Sequence, residues 1–412
     1  MRRRVVVTGL GAVTPLGTGK DVFWDKIKAG STGIDRLTRF STPPGFSKVA
    51  AEVKNLDSSG FLVPQVAHKM DRACVFAIIS SILARNDAGL EINRAKTDRY
   101  GVFIGSSTGG IASGHEVVSS AMRKGTNTSN SSILWKYPPG VWSNFISVVI
   151  GIAGPSMTIS SGCAAGTDAI GTAFQWIQSN LIDVAITGGT DAPIVPLNYL
   201  AFDIVGAMSR CNDEPQKACK PFDKERDGMV MGEGAGILIL ENLDHARARG
   251  AHIYAEVVGF GESCDAYHMS APLPSGKEYA RAMKHALENA GLEPRYIDYL
   301  NAHGSGTRLN DKTETLAIKE CFKEHAYRLR ISSIKGAIGH LFGGAGAVES
   351  IATVLAVQED VIPPTANLNN FDPECDLNYV PRKAISDKIS YAMKCSCGFG
   401  GWNKVLVFKK VG

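Results

Sequence analysis

Short apolar runs rich in β-branched residues alternate along this chain with longer stretches whose apolar positions recur at helical spacing. Strands are predicted at 4–8, 100–104, 156–160, 184–187, 236–241, 253–260, 296–301, 329–332 and 405–408, and helices at 22–29, 71–88, 163–179, 276–290, 311–322 and 344–358. Such alternation marks an α/β protein with largely parallel sheets. The runs 184–187 and 236–240 are apolar on both faces, and 163–176 is poor in charge. Elements this apolar are expected where helices are sandwiched between two sheets. The charged stretch 242–250, with Asp244, Arg247 and Arg249, reads as a surface connector, so the chain is expected to divide into 1–250 and 251–412.

Composition narrows the classes. With 412 residues, 44% hydrophobic and 20% charged, the chain can bury a large core, which excludes disorder and a disulfide-stapled mini-domain. The net charge of +4 is far from a nucleic-acid arm, although a mild positive excess suits an acidic protein partner. Nine cysteines, none spaced C-x-x-C, give neither a disulfide framework nor a structural metal site, so a reducing, cytoplasmic setting is expected. Arg2-Arg3-Arg4 before Val5-Val6-Val7 imitates a signal peptide, but Thr8 and Gly9 interrupt the apolar run and a first buried strand is the better reading. The apolar stretch 145–153 falls short of the roughly 20 residues of a membrane span.

Three segments could carry chemistry. In Ser160-Ser161-Gly162-Cys163-Ala164-Ala165-Gly166 an apolar strand runs through small residues into a helix pattern. The cysteine is thus placed near the positive end of a helix, where thiolate is favoured and free N–H groups face an adjacent anion. Alone, such a cysteine reads equally well as packing. Asn301-Ala302-His303-Gly304-Ser305-Gly306-Thr307 presents a histidine just past a strand end. Lys335-Gly336-Ala337-Ile338-Gly339-His340 presents a second one in a glycine loop before a helix that carries Glu349. Three strand-end loops bearing Cys163, His303 and His340 favour one convergent site. The glycines of Gly9-Leu10-Gly11 lack the third glycine and the acidic partner of a dinucleotide fingerprint, and Gly232-Glu233-Gly234 and Gly343-Gly344-Ala345-Gly346 lack the ending of a phosphate loop.

Taken in order, these motifs resemble the β-ketoacyl–acyl carrier protein synthases of the elongating type. The resemblance runs from Val5-Val6-Val7-Thr8-Gly9 to Gly398-Phe399-Gly400-Gly401 and includes Pro221-Phe222-Asp223, Arg226-Asp227-Gly228 and Gly232-Glu233-Gly234-Ala235. It implies the thiolase-like five-layered αβαβα fold from two similar halves, the first carrying the cysteine and the second both histidines. It also implies an acyltransferase without cofactor or metal, whose substrates ride on the phosphopantetheine arm of an acyl carrier protein. The working unit would be a homodimer, or a heterodimer with a chain-length-factor-like subunit.

In such an enzyme Cys163, with a lowered pKa, takes the acyl chain, and a malonyl thioester then loses CO2. His303 and His340, as neutral rings, hold the enolate oxygen, and the amides of Cys163 and Phe399 hold the acyl oxyanion. Lys335 and Glu349 match positions that organise the site, Asp311 and Glu314 are further polar candidates, Ser305 and Thr307 match pantetheine-binding positions, and Phe399 matches an aromatic gate. The loop His303-Gly304-Ser305-Gly306-Thr307 looks like that of the ketosynthase subunit of type II polyketide synthases. Thr108 stands at a position often bulky in the acyl pocket, Cys397 where an aromatic is common, and Trp402 where threonine is common. These departures favour a polyketide or specialised acyl chain over housekeeping fatty-acid elongation. Gly206 replaces an often basic docking residue, leaving Lys69, Arg72, Arg123 and Lys124 as docking candidates. A thiolase, for which Cys397 would be the second cysteine, and a non-catalytic partner subunit are the rival readings. His303 argues against the first, and the presence of Cys163, His303 and His340 against the second.

Overall fold

The computed structural model describes residues 2–124 and 133–411. Ten strands form two five-stranded sheets that join through β1 and β6 into one continuous hydrogen-bonded array, to which the short strand Gly17–Thr18 adds beside β1: β1 Val5–Thr14, β2 Tyr100–Gly105, β3 Ser156–Ile159, β4 Val184–Asp191, β5 Gly234–Asn242, β6 Ala255–Cys264, β7 Tyr299–Asn301, β8 Arg330–Ser332, β9 Tyr391–Gly398 and β10 Trp402–Lys409. The first five lie in the order β3-β2-β4-β5-β1 and the last five in the order β8-β7-β9-β10-β6. In each sheet the first two pairings are parallel and the next two antiparallel. The two halves therefore share one topology, and they meet where Val5, Val6 and Val7 of β1 pair with Val257, Glu256 and Ala255 of β6.

Six helices complete the layers: α1 Arg72–Asp87, α2 Gly140–Ile150, α3 Ala165–Gln178, α4 Lys277–Ala290, α5 Arg308–Phe322 and α6 Ala345–Glu359. α1 and α2 pack on the outer face of the first sheet, α4 and α5 on that of the second, and α3 and α6 lie between the sheets. The inner position explains their composition: every residue of α6 from Ala345 to Val357 is buried, so no polar face is needed. The Gly9-Leu10-Gly11 motif serves packing. A Cβ at Gly9 would meet the Ala84 carbonyl at 2.2 Å and one at Gly11 the Ser80 carbonyl at 2.0 Å, so α1 can lie on β1 only if both are glycine. Gly259 and Gly261 repeat the device in the second half, against Ala286 and Ala282 of α4.

The expectation of largely parallel sheets is corrected, since half of the pairings within each sheet are antiparallel; the predicted elements otherwise agree with the structure except at particular places. The helix expected from residue 163 begins at Ala165, leaving Cys163 in the turn ahead of it. The expected connector 242–250 contains a helix, Leu243–Ala248, capped by Asn242, whose Oδ1 accepts from the Asp244 amide. Strand β9 was not foreseen because Tyr391-Ala-Met-Lys-Cys-Ser-Cys-Gly contains no β-branched residue. The apolar run 145–153 overlaps α2, which its valines and isoleucines disguise. No helix among the described residues is long and apolar enough to cross a membrane.

Candidate active site

Each candidate side chain leaves the end of a strand. β3 leads to Cys163, β7 to His303, β8 to Lys335 and His340, and β9 to Phe399. The loops converge on a cavity of about 270 Å³ lined by Cys163, His303, His340, Ser305, Thr307 and Phe399, among others. The sulfur and the two rings thus share one pocket although they come from distant stretches of chain. Gly162, at φ +57°, makes the turn that lifts Cys163 out of the strand, and α3 starts two residues later.

The state of the cysteine corrects the expectation of a lowered pKa. Burial pushes the Cys163 thiol up to about 12, because a thiolate here would lose its hydration. Lys335 and the backbone N–H groups of Phe399 and of Cys163 itself pull the other way without overcoming that cost. Burial therefore favours the thiol form of Cys163. The same two amides are placed to receive an oxyanion that forms beside the sulfur.

Both imidazoles are held neutral and in one tautomer. Burial, then Lys335, then the neighbouring ring and Lys394 push His303 well below the ordinary histidine range; for His340 the causes are burial, Lys335 and Lys394. The Lys335 ammonium reaches His303 Nδ1 at 3.4 Å, and the Phe342 amide donates to His340 Nδ1 at 3.2 Å. With each Nδ1 occupied as an acceptor, each proton sits on Nε2, so both rings present an N–H. Their centroids lie 5.2 Å apart, close enough to serve one oxygen.

The supporting residues divide the work. Glu314 accepts from the amides of His303 and Gly304 at 2.7 and 2.8 Å, fixing the turn that presents the ring. Asp311 accepts from the amides of Phe222 at 2.8 Å and Gly306 at 3.2 Å, which ties the Pro221-Phe222-Asp223 segment to the hydroxyl loop. Ser305 Oγ and Thr307 Oγ1 lie 2.9 Å apart at the cavity wall. Glu349 binds Lys335 and, at 2.8 Å, Lys394. Lys394 escaped the sequence reading because it lies in the strand that was not foreseen. So did Asp191, whose buried carboxylate accepts from Ser106, Ser107, Thr108 and Gly343 and whose pKa burial raises to about 6.

An aromatic series runs from the mouth inward. Phe399 stacks on Phe202 at 5.6 Å, Phe202 meets Phe342 edge-on at 4.9 Å, and Phe342 stacks on His340 at 5.1 Å. The Thr108 hydroxyl donates to the buried Asp191 carboxylate at 2.8 Å. Other expectations are corrected. Arg72 is held by Glu233 at 2.8 Å and by the Val53 carbonyl, so it is a structural ion pair and not a free docking cation. Lys69 and Arg123 are exposed, and the Lys124 side chain lies outside the described residues. Cys397 does line the cavity, and burial raises its thiol well above the ordinary range, as it does for Cys163. Among the described residues no cluster of three or more His, Cys, Asp or Glu could hold a metal ion.

Comparison with known proteins follows the same line. The chain matches the model of the β-ketoacyl synthase N-terminal domain over residues 2–246 and that of the C-terminal domain over residues 254–369. It is 45% identical over 409 residues to a 3-oxoacyl-[acyl-carrier-protein] synthase 2 of Synechocystis, covering 99% of this chain and 98% of the relative. Among solved structures, a ketosynthase complexed with its type II polyketide synthase acyl carrier protein superposes with a TM-score of 0.92 at 35% identity, covering 100% of both chains. The ishigamide ketosynthase/chain length factor does so with a TM-score of 0.93 at 33% identity, again covering 100% of both. Fold, site and relatives together make this chain a member of the β-ketoacyl synthase family.

Proposed function

We propose that this protein condenses a malonyl-acyl carrier protein with an acyl chain held on Cys163, giving a β-ketoacyl-acyl carrier protein and CO2. The observation that carries the reading is the pairing of a thiol with two neutral rings, both with Nδ1 occupied, around one cavity.

In the first half-reaction the Cys163 sulfur attacks the acyl thioester, the carrier thiol leaves with the sulfur's proton, and the oxyanion rests on the amides of Cys163 and Phe399. The helix α3 N-terminus supports the thiolate as it forms. A malonyl thioester then enters and its C–C bond to the carboxylate breaks. The electron pair moves into an enolate whose oxygen accepts from Nε2–H of His303 and His340. The enolate carbon attacks the acyl-Cys163 carbonyl, and collapse of the adduct expels the sulfur as thiolate, which takes up one proton from solvent to restore the thiol. Lys335, Glu349 and Asp311 hold the histidine loops in place, Ser305 and Thr307 bind the pantetheine arm, and Phe399 gates the mouth. The segments 1–250 and 251–412 act as two halves, one bringing the nucleophile and the other both rings.

The acyl carrier protein is the macromolecular partner, its arm being the only cofactor-like group required, and the setting is cytoplasmic. A second subunit fits against edge strand β3, beside which Val148 is 80% and Tyr137 58% exposed. That subunit is a second copy or a chain-length-factor-like chain. The Ser305-Gly306-Thr307 loop favours a type II polyketide or specialised acyl chain. The 45% identity to the Synechocystis synthase favours fatty-acid elongation as the alternative. The test is to offer acyl-carrier and malonyl-carrier together. Expected are an acyl adduct on Cys163 by mass spectrometry, CO2 release and a β-ketoacyl-carrier, with adduct and product both lost in Cys163→Ala. Absence of the adduct in the native protein, alone and with a partner subunit, sinks the reading in favour of a non-catalytic subunit.

A further inference from the structure

Behind the two imidazoles lies a buried charge cluster that the mechanism above uses only in part. Glu349 of α6 meets Lys335 with one carboxylate oxygen and Lys394 of β9 with the other, at 2.8 Å for Lys394, and none of the three side chains is more than 1% exposed. Lys394 stands opposite Asn301 in the β7–β9 register, at the end of the strand that delivers His303. Its ammonium also donates to Ser396 Oγ at 3.0 Å and to the Cys395 carbonyl. One carboxylate is therefore sealed in with two ammonium groups. Neutralising Glu349 takes one cation. The second leaves an excess positive charge in a medium where charge is costly to bury.

We propose that Lys394 is a positioning residue for the condensation, an extra cation that keeps His303 and His340 neutral while they hold the enolate. The reason lies in what an imidazolium would do. It would pass its proton to the enolate carbon, giving an acetyl thioester and ending the carbanion before it reached the acyl-cysteine. A neutral ring donates a hydrogen bond without surrendering the proton. The groups around the rings are consistent with this division. Lys335, Lys394 and Glu349 lie behind them, Glu314 lies under the His303–Gly304 turn, Asp191 binds the Gly343 amide beyond His340, and Cys163 faces them across the pocket. Burial and Lys335 are the larger influences on both rings, and Lys394 adds to them in the same direction. Burial pulls the Lys394 ammonium itself below the ordinary lysine range, and Glu349 opposes that pull.

The inference rests on the condensing reading, and its test separates the two. The full-length protein, Lys394→Met and Lys394→Gln are prepared with 15N-labelled histidine, and the rings are followed by NMR between about pH 5.5 and 8. In the native protein both rings should stay neutral with the proton on Nε2 throughout. In either variant at least one ring should show a larger protonated share than in the native protein at the acid end of that window. In parallel, acetyl-carrier formed per β-ketoacyl-carrier is measured with the three proteins. It should rise on the order of tenfold in the variants near pH 6 and converge with the native value near pH 8, about one pKa unit being a tenfold change in ring protonation. A mere packing role for Lys394 would lower stability without moving this ratio. A native ring that titrates near the ordinary histidine range, or a folded variant with an unchanged ratio near pH 6, overturns the proposal. Failure of the native protein to release CO2 at all overturns the condensing reading instead, and the NMR titration still decides the role of Lys394.

Discussion

Lys335 is joined to His303 twice: its ammonium donates to the His303 carbonyl at 2.6 Å and reaches the ring Nδ1 at 3.4 Å. The first contact fixes the backbone just past β7, and the second fixes which ring nitrogen carries the proton. A single buried cation thus sets both the place and the tautomer of a ring that faces the cavity. Glu349 holds that cation, and α6 supplies Glu349 from the layer between the sheets.

Replacing this lysine should therefore damage one half-reaction more than the other. In Lys335→Met the ring loses its fixed tautomer and Glu349 keeps only Lys394. Malonyl decarboxylation is expected to fall about 10²-fold, the size typical of losing one preorganised donor. Acylation of Cys163, which the proposed mechanism assigns to the two backbone amides, should fall less than about tenfold. Single-turnover acylation by mass spectrometry, set beside CO2 release, checks the split, and equal losses in both steps would contradict it.

The raised thiol of Cys163 makes its own prediction about pH. A thiol with a pKa pushed up to about 12 is protonated throughout the neutral range. For an acid group a raised pKa means that the reactive anion becomes scarcer, so alkylation of Cys163 by iodoacetamide should rise about tenfold per pH unit from pH 7 to 9 without levelling off. A plateau near neutral pH would show a thiolate already formed. The measurement is the rate of adduct formation at Cys163 by peptide mass spectrometry, with the carrier absent.

Much of this site was legible in the chain because its reactive residues sit in strand-end loops whose small neighbours announce them. Cys163, His303 and His340 each stand among glycines, alanines or hydroxyls, and each follows a β-branched or aromatic strand. What stayed hidden depends on contacts between distant segments. Lys394 lies in a strand of small and sulfur-bearing residues that carries no strand signal, and its meaning appears only when β9 is laid against β7 and α6. The protonation of Cys163 was misjudged because a helix N-terminus can be read from order along the chain, whereas the loss of hydration cannot. The kinship of the two halves is likewise faint in letters. Val7-Thr8-Gly9-Leu10-Gly11 and Val257-Val258-Gly259-Phe260-Gly261 are short strings, and only the helix packed on each pair of glycines shows them to be the same device.

Neutral buried histidines also tie stability to pH. His303 and His340 have folded-state pKa values well below the ordinary range. Below about pH 6.5 the unfolded chain takes up protons that the folded one refuses, so stability falls as pH falls, by up to about 1.4 kcal/mol per pH unit for each ring. Asp191, Asp311 and Glu314 have raised pKa values and work in the opposite direction as they take up protons. The histidine contribution is isolated by comparing urea unfolding of the native protein with that of His340→Asn near pH 7 and near pH 5.5. The native protein should lose more stability over this interval than the variant, and an equal loss would contradict the buried neutral ring.

The hydrogen-bonding amide of Phe399 depends on Gly398. A Cβ at Gly398 would lie 3.2 Å from the Cys163 nitrogen and 3.3 Å from the Ser161 carbonyl oxygen, tighter than ordinary packing and against backbone on both sides. Gly398→Ala must therefore push the end of β9 away from the Cys163 turn by a few tenths of an ångström, carrying the Phe399 amide with it. Oxyanion donors tolerate such displacement poorly, and acylation is expected to slow on the order of 10²-fold with little change in the KM for acyl-carrier. Phe399→Ala is the control, since it keeps the amide while removing the ring that stacks on Phe202 at 5.6 Å. Its acylation step should stay within about tenfold of native, with the larger effect on carrier binding. Rapid-quench acylation of both variants decides between amide and ring. If Gly398→Ala acylates at the native rate while Phe399→Ala does not, the ring and not the amide is the group that matters.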